Sequence, residues 1–127
     1  MNSEQALRLL VVTDNDSVRH QLRYGFPTGV DVEIAREARD AWQRLDDYVP
    51  AAVIVDLQTG SAGGFALASD MRGANRLARV PVVMLIDRYQ DDWLARQAGA
   101  RAVLVKPVDA GELFTTITKL LSEPPAA

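Results

Sequence analysis

The sequence has no cysteine and a single histidine among its 127 residues. It therefore cannot form disulfides, a thiol nucleophile or a thiolate zinc site, and one imidazole does not make a histidine metal cage. No apolar run approaches the roughly 18 residues that a membrane span needs. A formal net charge of −3 and scattered arginines do not provide the clustered basic surface that nucleic acids require. Any chemistry is therefore expected to rest on carboxylates, lysine and hydroxyls. Direct binding to nucleic acid or to a membrane is not expected.

The length fits a single domain with one hydrophobic core. We predict that this domain spans residues 6–121 and that "SEPPAA" (122–127), with two prolines and no apolar periodicity, is a flexible tail or the start of a linker. The N-terminal residues lack the basic region, long apolar stretch and cleavage site of a secretion signal. The expected location is therefore the cytoplasm.

Short apolar runs of strand length alternate with segments of helical periodicity. Runs made almost entirely of Val, Ile and Leu indicate strands that are covered on both faces, as in a parallel sheet. Between the runs, apolar residues recur three and four positions apart, as at Leu113, Ile117 and Leu120. The alternation predicts an α/β fold with a doubly wound sheet, in which ligands bind at the carboxyl ends of the strands. The predicted strands are "LRLLVV" (7–12), "VDVEIA" (30–35), "AAVIVD" (51–56), "VVMLI" (82–86) and "AVLV" (102–105).

Charged residues lie at the ends of three predicted strands. Asp14 follows the first strand, Asp56 ends the third and Lys106 follows the fifth. Because these ends share one edge of the sheet, Asp56 is predicted to neutralise Lys106. Converging carboxylates attract a hard cation, and Mg²⁺, which needs only one or two of them besides water and phosphate oxygens, fits best. A carboxylate, Mg²⁺ and a lysine together make a site for phosphoryl transfer.

Three motifs resemble the receiver domain of two-component response regulators, over nearly the full chain. They are "LLVVTDND", "VIVDLQTGSAGG" and "AGARAVLVKPVDAGEL", and the last is the most specific. The resemblance implies a flavodoxin-like, five-stranded parallel sheet in the order 2-1-3-4-5 with five flanking helices. It also implies a signalling module that is not an enzyme, because it catalyses at most its own phosphorylation and dephosphorylation.

The same resemblance assigns roles to individual residues. Asp56 would accept a phosphoryl group from a histidine kinase, a phosphotransfer protein or a small phosphodonor. Asp14, Asp56 and the backbone carbonyl of Gln58 would bind Mg²⁺, and Lys106 would contact the phosphoryl oxygens through a cis bond to Pro107. A partner protein or output domain would contact helix 4, strand 5 and helix 5, and a homodimer is a further expectation.

The chain departs from the family pattern at positions that matter for signalling. Thr13 replaces the first of two adjacent acids, which should weaken Mg²⁺ binding without abolishing it. Ile86 replaces the usual Thr or Ser, and Val103 replaces the usual Tyr or Phe, so the residues of the usual switch are absent together. Helix 4 is expected to be truncated or tilted. In the loop after Asp56, Gly63 and Gly64 would permit close backbone approach to a ligand.

Several alternatives stay open. The main rival is a phosphorylation-independent pseudo-receiver that acts by dimerisation or protein docking; a Mg²⁺-dependent phosphatase is a weaker one. Asp56 and Lys106 could also form a purely structural ion pair. Asp16 is expected to cap the first helix. Trp93 is expected to be partly buried in the core, although tryptophan is also enriched at interface hot spots.

Overall fold

A computed structural model describes residues 7–57 and 63–123. Strands and helices alternate along the chain, as the sequence predicts, and the five strands have the predicted bounds except that the third begins one residue later. A 3-10 turn at Tyr89–Asp91 precedes the fourth helix. The elements are β1 (Leu7–Val12), α1 (Asp16–Gly25), β2 (Val30–Ala35), α2 (Ala38–Asp47), β3 (Ala52–Asp56), α3 (Gly63–Arg72), β4 (Val82–Ile86), α4 (Asp92–Gln97), β5 (Ala102–Val105) and α5 (Ala110–Ser122).

The strands form one parallel sheet in the order β2-β1-β3-β4-β5, which confirms the expected topology. The register brings the strand ends to one edge, because Val12 pairs with Val55 and Ile86 pairs with Val105. Asp56 at the end of β3 lies beside Leu85 of β4. The residues that follow β1, β4 and β5 therefore emerge next to Asp56.

Apolar side chains pack on both faces of the sheet. Along β3, Val53 and Val55 belong to one buried cluster, while Ala52 and Ile54 belong to the other. Such alternation of faces explains why the strand reads as a continuous apolar run rather than as an alternating pattern. Burial on both faces holds β3 and its terminal Asp56 in place. Among the described residues, no helix is long and apolar enough to cross a membrane.

Side chains cap α1 and α5, but one capping residue differs from the prediction. Asn15, rather than Asp16, caps α1: its side-chain oxygen accepts a hydrogen bond from the Val18 N–H at 3.0 Å. The expectation for Asp16 was wrong because the helix begins at Asp16 itself, so the preceding residue is the cap. Asp109 caps α5 by accepting the N–H of Glu112 at 2.9 Å.

The fourth helix is short, as expected, with only six residues. Ala95 is its buried residue and faces the sheet. The expectation that Trp93 is partly buried was wrong, since it is 67% exposed. Two positions before Ala95, Trp93 lies about 200° around the helix axis and so projects away from the core.

Candidate functional site

Asp56 and Lys106 form an ion pair at the carboxyl edge of the sheet. The Lys106 ammonium contacts Asp56 Oδ1, and the Asp56 side chain has no exposed surface while that of Lys106 is 14% exposed. The Lys106 N–H donates to the Ile86 carbonyl at 2.8 Å, which carries β5 pairing one residue beyond the strand. The bond from Lys106 to Pro107 is cis, as expected. The lysine at the end of an apolar strand thus has the predicted carboxylate partner.

Thr13 bonds to the other oxygen of the same carboxylate. Its side-chain hydroxyl donates to Asp56 Oδ2 at 2.7 Å and accepts the Asn15 N–H at 3.1 Å. Thr13 is only 3% exposed. Sequence reasoning treated this position only as a missing acid and overlooked its direct bond to Asp56. Both oxygens of the Asp56 carboxylate therefore have a hydrogen-bond donor.

Asp87 is a second partner of Lys106 that sequence reasoning missed. Its Oδ1 lies 3.0 Å from Lys106 Nζ, and its side chain is 40% exposed. It is the first residue after β4, so the strand-end rule that selected Asp56 and Lys106 could have found it. A single ammonium therefore joins two carboxylates from neighbouring strands.

The ionisation of Lys106 reflects these contacts. Burial alone would lower the pKa of Lys106, but hydrogen bonds from its ammonium to Asp56 and Asp87, together with their charges, hold the pKa above its ordinary value. The ammonium therefore stays charged at neutral pH. Its single positive charge is shared between Asp56 and Asp87.

The expected metal ligands are only partly described. Asp14 is exposed just after β1, and Asp56 is enclosed, whereas Gln58 lies outside the described residues. Within residues 7–57 and 63–123, no group of three acidic, histidine or cysteine side chains is arranged to bind a metal. Two carboxylates can still suit Mg²⁺, which retains several waters. The donor set fits Mg²⁺ provided that the Thr13 hydroxyl shares or releases Asp56 Oδ2.

Ile86 and Val103 lie in the core instead of at the site. Ile86 has no exposed surface, and Val103 packs against the same buried cluster. Neither side chain can form a hydrogen bond, so these two positions supply neither a hydroxyl nor an aromatic ring. Any response of β4 and β5 to an anion at Asp56 must use other side chains.

Gly64, near the start of α3, allows this helix to pack closely against β3. A Cβ at Gly64 would lie 2.5 Å from Leu57 Cδ2 and 2.7 Å from Val55 Cγ1. The absence of a side chain therefore allows the helix to approach β3 closely. The expected approach of this backbone to a ligand stays a prediction, because residues 58–62 lie outside the described part.

A cavity of about 340 Å³ opens beside the ion pair. Its wall includes Lys106 and Asp87 as well as residues of α1 and of the chain after β5, namely Gln21 and Val108. The Gln21 side chain donates to the Val108 carbonyl, which joins these two parts. The cavity gives Lys106 access to solvent on the α1 side.

Large apolar side chains are exposed around α4. We call Tyr89, Trp93, Leu94 and Val105 the α4–β5 apolar face; each is at least 42% exposed. Exposed aromatic residues of this kind are typical of protein interaction surfaces. The face lies in the region where a partner was expected.

Comparisons with known proteins agree with this geometry. Residues 9–118 match the family model of the response regulator receiver domain. Response regulator Rre1 of Synechocystis is 31% identical over 97% of this chain and 55% of that protein, and the transcriptional regulatory protein PhoP of Escherichia coli is 28% identical over 91% and 52%. A candidate response regulator from Chloroflexus aurantiacus superposes with a TM-score of 0.85 at 26% identity, covering 93% of this chain and 99% of that one. The chain spans about half the length of the curated relatives it matches.

Proposed function

The chain belongs to the response regulator receiver domain family, and we propose that it accepts a phosphoryl group on Asp56 in a Mg²⁺-dependent reaction. The observation that carries this proposal is the Lys106 ammonium in contact with the carboxylate at the end of β3. A receiver domain acts as the input part of a two-component response regulator. The reaction modifies the domain itself, so we propose a signalling switch and not a metabolic enzyme.

The proposed chemistry is attack of an Asp56 carboxylate oxygen on phosphorus. The new O–P bond forms as the bond from phosphorus to the donor breaks, and the donor leaves with the electron pair. The donor is a phosphohistidine of a histidine kinase or phosphotransfer protein, or a small phosphodonor. The phosphorylated Asp56 side chain then carries about two negative charges, in place of the single charge of the carboxylate. We propose that Lys106, which contacts Asp56, neutralises part of that charge.

Mg²⁺ would neutralise phosphoryl oxygens when bound. We propose Asp14, Asp56 and the Gln58 carbonyl as its ligands. Thr13 holds Asp56 Oδ2 at 2.7 Å, so the hydroxyl competes with a cation for this oxygen. We therefore expect weaker Mg²⁺ binding than an acid at position 13 would give.

A second candidate is a pseudo-receiver that signals without phosphorylation. The observation that favours it is the enclosure of Asp56, whose side chain has no exposed surface and whose two oxygens are both occupied by donors from Thr13 and Lys106. In that case the output would come from dimerisation or docking alone. The phosphoacceptor remains our main proposal because Lys106 contacts Asp56 and also lines an open cavity beside the ion pair.

The partners we propose follow from the exposed surface. The α4–β5 apolar face, together with α5, is proposed to contact an output domain, a partner protein or a second copy of the domain. We place the protein in the cytoplasm, where histidine kinases present their phosphohistidine. The name of the Escherichia coli relative, a transcriptional regulatory protein, supports an output domain in proteins of this kind.

Intact-mass spectrometry after incubation with acetyl phosphate and Mg²⁺ tests the proposal. Wild type should gain the mass of one phosphoryl group, and Asp56→Asn should gain none. Asp46→Asn, which changes an exposed carboxylate on α2, is the matched control and should behave like wild type. Unmodified wild type at high donor and Mg²⁺ concentrations would instead support the pseudo-receiver.

A further inference from the structure

The site contains a second carboxylate, that of Asp87, which phosphoryl transfer in the receiver family does not require. Asp87 follows β4 directly, and its carboxylate lies 3.0 Å from the Lys106 ammonium. The preceding residue, Ile86, is fully buried and offers no hydroxyl. The end of β4 is therefore linked to the site by a charge rather than by a neutral hydrogen-bonding group.

We propose that Asp87 is a positioning residue for Lys106, an internal counter-ion that a phosphoryl group on Asp56 must displace. This inference rests on the proposed phosphorylation of Asp56. Displacement of Asp87 would free the beginning of the loop from β4 to α4. The loop would then respond to phosphorylation without a hydroxyl or an aromatic switch.

The charges of the site support displacement of Asp87 rather than of Asp56. One ammonium serves two carboxylates, and phosphorylation would add about one further negative charge. The Asp56 side chain has no exposed surface, whereas the Asp87 side chain is 40% exposed. Asp87 can therefore regain hydration when it leaves Lys106, and Asp56 cannot.

The cationic side chain next to Asp87 in sequence, Arg88, does not neutralise Asp87 where it contacts Lys106. Arg88 is exposed and pairs with Asp91 at 3.2 Å within the same loop. The Asp91 N–H also donates to the Arg88 carbonyl at 3.0 Å. The loop thus has its own internal bonds and is tied to the site through Asp87.

Displacement of Asp87 would also affect the α4–β5 apolar face. Asp87 lies two residues before Tyr89 and six before Trp93, both of which belong to the α4–β5 apolar face. A loop released at Asp87 can shift the 3-10 turn and α4 relative to β5. The proposed switch therefore connects the phosphoryl group to the surface where a partner would bind.

Beryllofluoride with Mg²⁺, a mimic of the phosphoryl group, provides the test. Its affinity would be measured by amide NMR titration of wild type, Asp87→Asn, Asp87→Glu and Asp46→Asn. We expect Asp87→Asn to bind about tenfold more tightly, the low end for loss of a charged hydrogen bond because Asp87 is partly exposed. Asp87→Glu keeps the competing charge and should stay within about twofold of wild type. Asp46→Asn removes an exposed carboxylate on α2 and should match wild type.

A second readout tests the coupling to the loop. In the free Asp87→Asn protein, the amide signals of residues 87–93 should move toward the positions that they take in mimic-bound wild type. If those signals stay at their free wild-type positions, the proposed role of Asp87 in the loop is overturned. A merely structural contact would shift signals without following this direction.

The affinity results separate the inference from the proposed function. Equal binding by wild type and Asp87→Asn would overturn the role of Asp87 and leave phosphorylation of Asp56 intact. Binding by Asp87→Asn alone would support the inference, since the internal counter-ion would then block the site. If neither wild type nor Asp87→Asn binds the mimic, the role of Asp87 and the phosphorylation of Asp56 are both overturned.

Discussion

Replacement of Thr13 by valine tests whether the hydroxyl at the end of β1 stabilises the enclosed Asp56 carboxylate. Valine has nearly the shape of threonine but cannot donate to Asp56 Oδ2 or accept the Asn15 N–H. Loss of a hydrogen bond to a charged group costs about 1.5–3 kcal/mol. Since Lys106 still neutralises the carboxylate, we expect the free energy of unfolding to fall by about 2–3 kcal/mol.

Urea denaturation, followed by circular dichroism, would measure this change. The midpoint should fall while the slope against urea concentration stays constant, because the surface exposed on unfolding is the same. Thr13→Ser keeps the hydroxyl and loses one buried methyl, so it should cost only about 1 kcal/mol. In thermal unfolding, Thr13→Val should lower the melting temperature by roughly 10 °C, since a domain of this size loses about 4 °C per kcal/mol.

A double-mutant cycle assigns the effect to the contact between Thr13 and Asp56. In an Asp56→Asn background, Thr13→Val should cost less than in wild type by about 1–2 kcal/mol, because the charged acceptor is already gone. The reasoning is refuted if Thr13→Val lies within about 0.5 kcal/mol of wild type, the range of ordinary surface changes. It is also refuted if Thr13→Ser is as destabilising as Thr13→Val.

Three further predictions follow from the geometry. The pKa of Lys106 is raised in the folded state, so its contribution to stability is complete below pH ~10.5 and is lost as pH rises through the folded pKa. Alkaline urea melts should show a larger loss of stability in wild type than in Lys106→Met, where burial of Tyr48, which raises the pKa of that phenol, still contributes a loss. Gly64→Ala should cost about 1–3 kcal/mol in urea melts, because its Cβ would lie 2.5 Å from Leu57 Cδ2, whereas Gly73→Ala, with no contact nearer than 3.7 Å, should be nearly neutral. Trp93→Ala should change the free energy of unfolding by less than about 0.5 kcal/mol, since the side chain is mostly exposed, and a larger loss by the same measurement would contradict its placement on the surface.

The sheet could be predicted well because its strands carry a local signal. Residues such as Val53, Ile54 and Val55 are buried on alternating faces, and a strand covered on both sides must be apolar at every position. The ends of these runs were therefore visible in the sequence. Together with the general rule for open α/β sheets, they predicted that Asp56 and Lys106 lie at one edge.

The remaining contacts of the site follow only in part from the same rule. Thr13 and Asp87 both lie next to strand ends, but their bonds to Asp56 and Lys106 depend on the direction in which the backbone leaves each strand. The capping of α1 by Asn15 instead of Asp16 depends on the same turn after β1. A shift of one residue in such a turn changes which side chain enters the site.

The sequence by itself determined the order of strands and helices along the chain, the two-sided burial of the sheet and the pairing of Asp56 with Lys106. These properties follow from the periodicity of apolar residues and from the fixed handedness of parallel crossovers. Both rules apply to any chain with this pattern of strands and helices. The tertiary structure alone decided that Thr13 occupies the second Asp56 oxygen, that Asp87 shares Lys106 and that Trp93 points to solvent. Each of these depends on distances of a few ångströms between residues far apart in sequence, and only the packed sheet sets such distances.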